Sequence, residues 1–375
     1  MLSKYNSPNI DAFFALLRAG LWEQNVNLSH LGKIDFSKVF QLAESQSVIG
    51  IVLAGLEHVG DVKVASEDKL PFLGSVLQLE SHNKAMNQII EKLILGLRKS
   101  DIYTLLVKGQ GVAQCYERPL WRSAGDIDFY LSKDNFEKAK RYFRPLVTKF
   151  DPDNEYTRHI NMHYGEWVVE IHANQNCSLS GRINHVLSQI HRDLFYSGNV
   201  RSWLNGNTQV FLPAADNDVV LSFTHFLNHF YEGGLGVRQI CDWSRLLWTF
   251  RETLDIRLLE SRVREMGLMS EWKVFGAFAV DFLGMPSGAM PFFDESRKWK
   301  RKAAQIRDFL LEVGNFGHNR DSSYYGKYPF VIRKAFSFGR RCGDALHHAR
   351  IFPVDSFRFL IGITVSGLKS VAHGA

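Results

Sequence analysis

Between Leu105 and Leu131 the chain reads L-L-V-K-G-Q-G-V-A-Q-C-Y-E-R-P-L-W-R-S-A-G-D-I-D-F-Y-L. This run joins strand-forming residues, glycine turns and paired carboxylates, and it restricts the fold more than any other stretch. If G-D-I-D-F-Y-L is a strand, residues two apart share a face, so Asp126 and Asp128 stand side by side while Ile127 and Phe129 face a core. Adjacent carboxylates repel one another, and a divalent cation is the usual reason a protein tolerates them.

The residues around this run extend the pattern. Ile102 to Val107 suits a short buried strand ended by Lys108-Gly109. Gly111 to Tyr116 suits a turn or two of helix, which Pro119 stops. Ser132 can cap a helix over Lys133 to Leu146, with Phe136, Ala139, Tyr142 and Phe143 on its apolar face. Strands follow at His159 to Tyr164 and Glu166 to Ala173, joined by a turn around Gly165. Together these elements describe a compact core of about 80 residues.

Both flanks read as helical. From Asn9 to about Leu97, apolar residues recur at three- and four-residue steps, Asp35 offers a cap, and Gly32, Gly60 and Pro71 punctuate the segments. A long helix is expected from Phe72 to Arg98, with Asn83 and Asn87 on a solvated stripe. Beyond Asn174 the pattern predicts a short strand at Thr208 to Leu212 and a helix over Asp218 to Tyr231. Helices are also expected around Arg238 and Asp242, within Ile256 to Leu283, and over Arg297 to Val313. Gly314 to Tyr328 reads as a loop. The expected architecture is α+β: a small mixed-sheet core at 99–175, a helical N-terminal region at 1–98 and a mainly helical C-terminal region at 176–375. A chain of 375 residues that is 45% hydrophobic can bury a sizeable core over such units.

Charge and cysteine usage narrow the function classes. A net charge of +6 permits a polyanionic ligand without requiring one. Cys115, Cys177, Cys241 and Cys342 are scattered and form no C-x-x-C pair, so neither a zinc site nor a disulfide framework is indicated, and a cytoplasmic location fits. No signal peptide is recognisable, and no apolar run reaches the roughly 18 residues of a membrane span.

Glu170 turns the carboxylate pair into a candidate site. In E-W-V-V-E-I-H-A, Val168, Glu170 and His172 share one strand face while Val169 and Ile171 share the other. If this strand pairs beside Asp126 to Leu131, three carboxylates converge. They would suit Mg²⁺ or Mn²⁺, hard cations that take oxygen ligands and clamp a triphosphate. Lys108, Gly109 and Gly111 form a turn at a helix start where backbone N–H groups can meet phosphate. Arg118 and Arg122 are phosphate candidates, with a surface or locally paired role as the alternative for each.

These residues carry a resemblance. L-L-V-K-G, R-S-A-G-D-I-D-F-Y-L and V-V-E-I-H-A resemble the uncharacterised bacterial nucleotidyltransferase family of the DNA polymerase β-like superfamily. The similarity is most specific over Ile102 to Ala173, and F-T-H-F-L-N-H-F with G-V-R-Q-I-C-D-W looks like the family's helical half. It implies that Asp126 and Asp128 are paired metal ligands, Glu170 the third carboxylate, and Gly109 the glycine of the phosphate turn. The turn departs from the Gly-Ser or Gly-Gly of many members, and the third carboxylate is Glu rather than the more usual Asp, a longer side chain that can either bind metal or serve as the base that deprotonates the acceptor. The implied activity is Mg²⁺-dependent transfer of an NMP from an NTP to an acceptor hydroxyl, with release of pyrophosphate. A small molecule, a protein and an RNA end all stay open as acceptor. The alternative is a non-catalytic nucleotide- or partner-binding protein on the same fold.

Other residues have two readings each. His172 is either at the site's edge or a satisfied histidine. His225 and His229 lie four apart on a helix, but the glutamate of H-E-x-x-H is absent, so packing is favoured over zinc. Arg238 and Asp242 are expected to form an intrahelical ion pair, with substrate contact as the other reading. The basic segment Arg297 to Lys302 and the basic residues from Arg333 to Arg358 read as solvated helix faces, with a nucleic acid or membrane surface as the alternative.

Overall fold

The computed structural model describes residues 7–151, 159–174, 179–317, 319 and 330–361. Helix α1 (Pro8–Trp22) starts with Pro at its first position, and the Ser7 hydroxyl accepts from the Ile10 N–H, both natural helix-start devices. Helix α2 (Phe36–Ser45) is capped by Asp35, as its sequence predicts. Helix α3 (Ile49–Leu56) is buried along nearly its whole length. It crosses α1 where glycine is needed, since a β-carbon on Gly20 would lie 1.8 Å from the Ile51 carbonyl oxygen and one on Gly55 1.9 Å from that of Leu16.

Helix α4 (Ser66–Lys99) begins six residues earlier than expected and runs through Pro71. Near a helix start Pro removes a single intrahelical bond, and Glu67 and Asp68 in the first turn favour the positive end of the helix. The solvated stripe is also corrected. Asn83 is fully buried, donating to the carbonyls of Leu120 (2.8 Å) and Arg122 (2.9 Å) and accepting from Gln110 (2.8 Å). It ties α4 to the segment that carries the carboxylates, because a buried amide must find partners.

The sheet follows in chain order: β1 (Leu105–Val107), the short helix α5 (Gly109–Ala113), β2 (Asp126–Tyr130), α6 (Lys133–Phe143), β3 (Lys149–Phe150), β4 (His159–Tyr164) and β5 (Trp167–His172). The spatial order is β1-β2-β5-β4-β3. Only β2 and β5 are parallel, and the other neighbours are antiparallel, so the sheet is mixed, as expected. One face is apolar: Ile127, Phe129, Val169, Ile171, Ile160 and Met162 pack with Ile90 and Leu97 of α4 and Phe136 of α6. The opposite face carries the polar side chains.

Beyond the sheet come α7 (Gly181–Tyr196), β6 (Val200–Asn205), β7 (Thr208–Pro213), α8 (Ala215–Glu232), α9 (Val237–Phe250), α10 (Ile256–Met266), α11 (Met269–Asp281), α12 (Arg297–Val313) and α13 (Phe330–Ala349). Strand β6, the antiparallel partner of β7, was not expected, because V-R-S-W-L-N has little apolar alternation. Helices from both flanks share one core: Phe14 meets Phe278 and Trp22 meets Trp248 at ring centroid distances of 6.4 and 5.5 Å. Cys115, Cys241 and Cys342 are free, whereas Cys177 and most of the expected loop Gly314 to Tyr328 lie outside the described residues. Among the described residues, no helix is long and apolar enough to cross a membrane.

Candidate active site

Register puts the three carboxylates together. On the parallel ladder Asp126 is paired with Val168, Asp128 with Glu170, and Tyr130 with His172, and register partners present their side chains to the same face. Carboxylate oxygens of Asp126, Asp128 and Glu170 all lie within 4.8 Å of one another. The antiparallel ladder on the other side of β5 pairs Asn161 with Glu170 and His159 with His172. Six polar side chains, those of Asp126, Asp128, Glu170, His172, His159 and Asn161, thus come from three neighbouring strands, and Asp126, Glu170, His172 and His159 line a cleft of about 370 Å³.

The charges in this cluster are only partly compensated. Lys108 Nζ lies 2.8 Å from Asp128 Oδ1, and His172 Nε2 lies 2.9 Å from the same oxygen. Burial pushes the Asp128 carboxyl up, but Lys108 and His172 outweigh it and hold the group below its ordinary value. Glu170 is likewise held low: burial opposes ionisation, and contacts from His159, His172 and Lys108 overcome it. Asp126 behaves differently, raised to about 6 mainly by the charge of Asp128 and then by burial. The other carboxylate oxygen of Asp128, Oδ2, is buried with no hydrogen-bond partner among the described residues. A raised carboxyl beside an unpartnered carboxylate oxygen fits the donor set of a hard cation, so Asp126, Asp128 and Glu170 are suited to hold one.

The turn before α5 stands at the edge of this cluster. Lys108 has φ 56° and Gly109 φ 37°. A non-glycine residue with positive φ costs about 1–3 kcal/mol and persists where its surroundings hold it; here the ion pair with Asp128 is such a hold. A β-carbon on Gly109 would lie 3.4 Å from the Asp126 carbonyl oxygen, so the turn sits directly against the carboxylate strand. The N–H groups at the start of a helix lack intrahelical acceptors and can meet an anion. Gly111 does not line the cleft; it is packed against Leu212 of β7, whose Cδ2 would be 2.9 Å from an added β-carbon.

Helices α8 and α9 form the other wall, with His225, His229, Arg238 and Asp242 lining the cleft. The two histidines bond to each other through their Nε2 atoms at 3.1 Å. Burial and the nearby Lys108 charge push both down, His229 to about 4, so both are neutral at pH 7. They belong to no metal-ligand cluster among the described residues. The expected Arg238–Asp242 pair is replaced. Asp242 binds Arg122, with Nε to Oδ1 at 3.0 Å and Nη2 to Oδ2 at 2.6 Å, and Arg238 Nη1 donates to the Ser123 carbonyl at 2.5 Å. Arg122 is therefore buried and locally paired, although its Nη1 lacks a partner and the residue lines the cleft. Arg118 binds Glu23 and Glu57 and is not in the cleft.

Sequence reasoning passed over His159 and Asn161. Their signal was present in H-I-N-M-H-Y, where polar residues alternate with Ile160 and Met162, but a lone polar strand face reads as solvent-facing until its neighbour is known.

A family model described as uncharacterised nucleotidyltransferase matches residues 32–284, which is more than half of the chain. The chain belongs to the uncharacterised nucleotidyltransferase family. The match spans α2 to α11 and so includes the carboxylate cluster, the Lys108-Gly109 turn and both walls of this nucleotidyltransferase's cleft. No curated protein and no solved structure matches the chain.

Proposed function

We propose that this nucleotidyltransferase moves an NMP from an NTP to an acceptor hydroxyl and releases pyrophosphate, using Mg²⁺ or Mn²⁺ held by Asp126, Asp128 and Glu170. The observation that carries this reading is the convergence of the three carboxylates beside a glycine turn, with Asp126 and Glu170 lining the cleft. A divalent ion bound there supplies neutralisation of charge on the phosphoryl group being transferred. The chain's own groups do the rest. Lys108 and the N–H groups after Gly109 bind the triphosphate, which orients the reacting phosphorus before transfer. Arg122, held by Asp242, fixes α9 against the segment before β2 at the cleft wall. The neutral His225 and His229 give the acceptor side uncharged hydrogen-bonding groups. The acceptor then lies between the sheet and α8.

One observation favours a second reading. The Lys108 ammonium already meets Asp128 at 2.8 Å, an arrangement that also suits a nucleotide-binding protein without turnover. Product analysis separates the two. Each NTP, labelled on the α-phosphate, is incubated with the protein, Mg²⁺ and a cell extract. Label transfer matched by pyrophosphate release supports transfer, and nucleotide that stays bound and unchanged supports the binder.

A further inference from the structure

A second donor set lies on the same sheet face and shares one residue with the carboxylates. His159 Nε2 and His172 Nε2 approach the same Glu170 oxygen, Oε2, at 3.4 and 3.3 Å. The two rings stack with centroids 4.8 Å apart and planes inclined by 15°. One donor atom from each of the three residues lies within 4.8 Å of the others. An ion bound tetrahedrally by nitrogen and oxygen at 2.0–2.2 Å separates its donors by about 3.3–3.6 Å. Both measured His-to-Glu separations fall in that interval.

The chemistry of this set differs from that of its neighbour. Two imidazoles with one carboxylate favour borderline ions of the zinc class, whereas three carboxylates favour hard ions such as Mg²⁺. Backbone pairing holds the donors in place: His159 is the register partner of His172, and Asn161 that of Glu170. Asn161 Oδ1, 2.8 Å from His159 Nε2, adds an oxygen at the edge of the set. All three donor residues line the open cleft. Three protein ligands beside an open position describe an accessible site rather than a closed structural one.

We propose that His159, His172 and Glu170 form a second metal site, which takes a divalent cation of the zinc class. Because Glu170 belongs to both sets, filling this site withdraws it from Asp126 and Asp128. Zinc therefore inhibits nucleotidyl transfer; this consequence rests on the function proposed above, while the site itself does not.

The test is a Co²⁺ titration of the full chain without nucleotide, read by visible ligand-field absorbance, with Zn²⁺ as competitor. The wild type is expected to bind one Co²⁺ that Zn²⁺ displaces. His159→Ala removes a direct ligand, so it is expected to weaken Co²⁺ binding by more than about 100-fold, beyond the 10–100-fold typical of supporting residues. His159 is partly exposed, and circular dichroism checks that the variant is folded. Asp126→Asn, outside the set, is expected to keep the Co²⁺ signal. Unchanged Co²⁺ binding by His159→Ala, or none by the folded wild type, overturns the proposal. No NTP is present, so failure of the transferase reading leaves these outcomes unaltered. If both readings hold, Zn²⁺ inhibits wild-type transfer and His159→Ala relieves that inhibition.

Discussion

Arg122 and Asp242 form a buried, two-pronged ion pair that joins the segment before β2 to α9, and Tyr116 adds a hydroxyl hydrogen bond to the same carboxylate at 2.8 Å. Removing one partner leaves the other charge buried and uncompensated. Asp242→Ala is therefore expected to destabilise the protein by about 3–5 kcal/mol, read by urea unfolding. A loss below about 1 kcal/mol, typical of an exposed pair, would show that the pair is solvated.

Glu271 on α11 is expected to make stability fall with rising pH. It is 2% exposed, and burial first, then the neighbouring Asp355, raises it from 4.5 to about 8. The folded state thus holds a proton that the unfolded state releases. The contribution is complete below pH 4.5 and is lost as pH rises through about 8. Denaturant midpoints between pH 5 and pH 9 check this, and Glu271→Gln is expected to flatten the profile. A slope unchanged by the substitution would assign it to other groups.

Gly55 at the α1–α3 crossing and Gly74 on α4 are expected to respond oppositely to substitution. Gly55→Ala drives a β-carbon into the Leu16 carbonyl and should destabilise by at least about 1–3 kcal/mol. Gly74, inside α4, has open space around it, so Gly74→Ala should stabilise by about 0.5–1 kcal/mol. Thermal unfolding of the two variants distinguishes tight helix packing from general tolerance.

Lys108 serves the carboxylates and, on the proposed function, the triphosphate. Lys108→Met removes a competing positive charge from Asp128, so Mn²⁺ binding without nucleotide should strengthen. The same change should weaken NTP binding by roughly tenfold, about 1.4 kcal/mol. Parallel calorimetric titrations check both directions. Weaker binding of both ligands would mean that Lys108 mainly keeps the turn folded.

The parts of this fold that were legible in sequence are those specified locally. Alternation in G-D-I-D-F-Y-L and V-V-E-I-H indicated two strands with polar and apolar faces, and Ser132 and Asp35 cap their helices as expected. What sequence did not show depends on distant partners. Asn83 looked like a surface residue until the carbonyls of Leu120 and Arg122 came against it. Arg238 lay at the right spacing for Asp242, yet Arg122, 120 positions away in sequence, takes that carboxylate. His159 acquires its meaning only through β4–β5 register, which no local pattern encodes.

We propose that Asp126 and Asp128, with Glu170, carry nucleotidyl transfer. The most direct test compares the wild type with Asp126→Ala/Asp128→Ala, each incubated with α-phosphate-labelled NTPs, Mg²⁺ and a cell extract, with transferred label as the readout. Labelled acceptor is expected with the wild type and none above background with the folded double variant. Equal labelling by both proteins, or no labelling with any NTP while nucleotide still binds the wild type, would contradict the proposal.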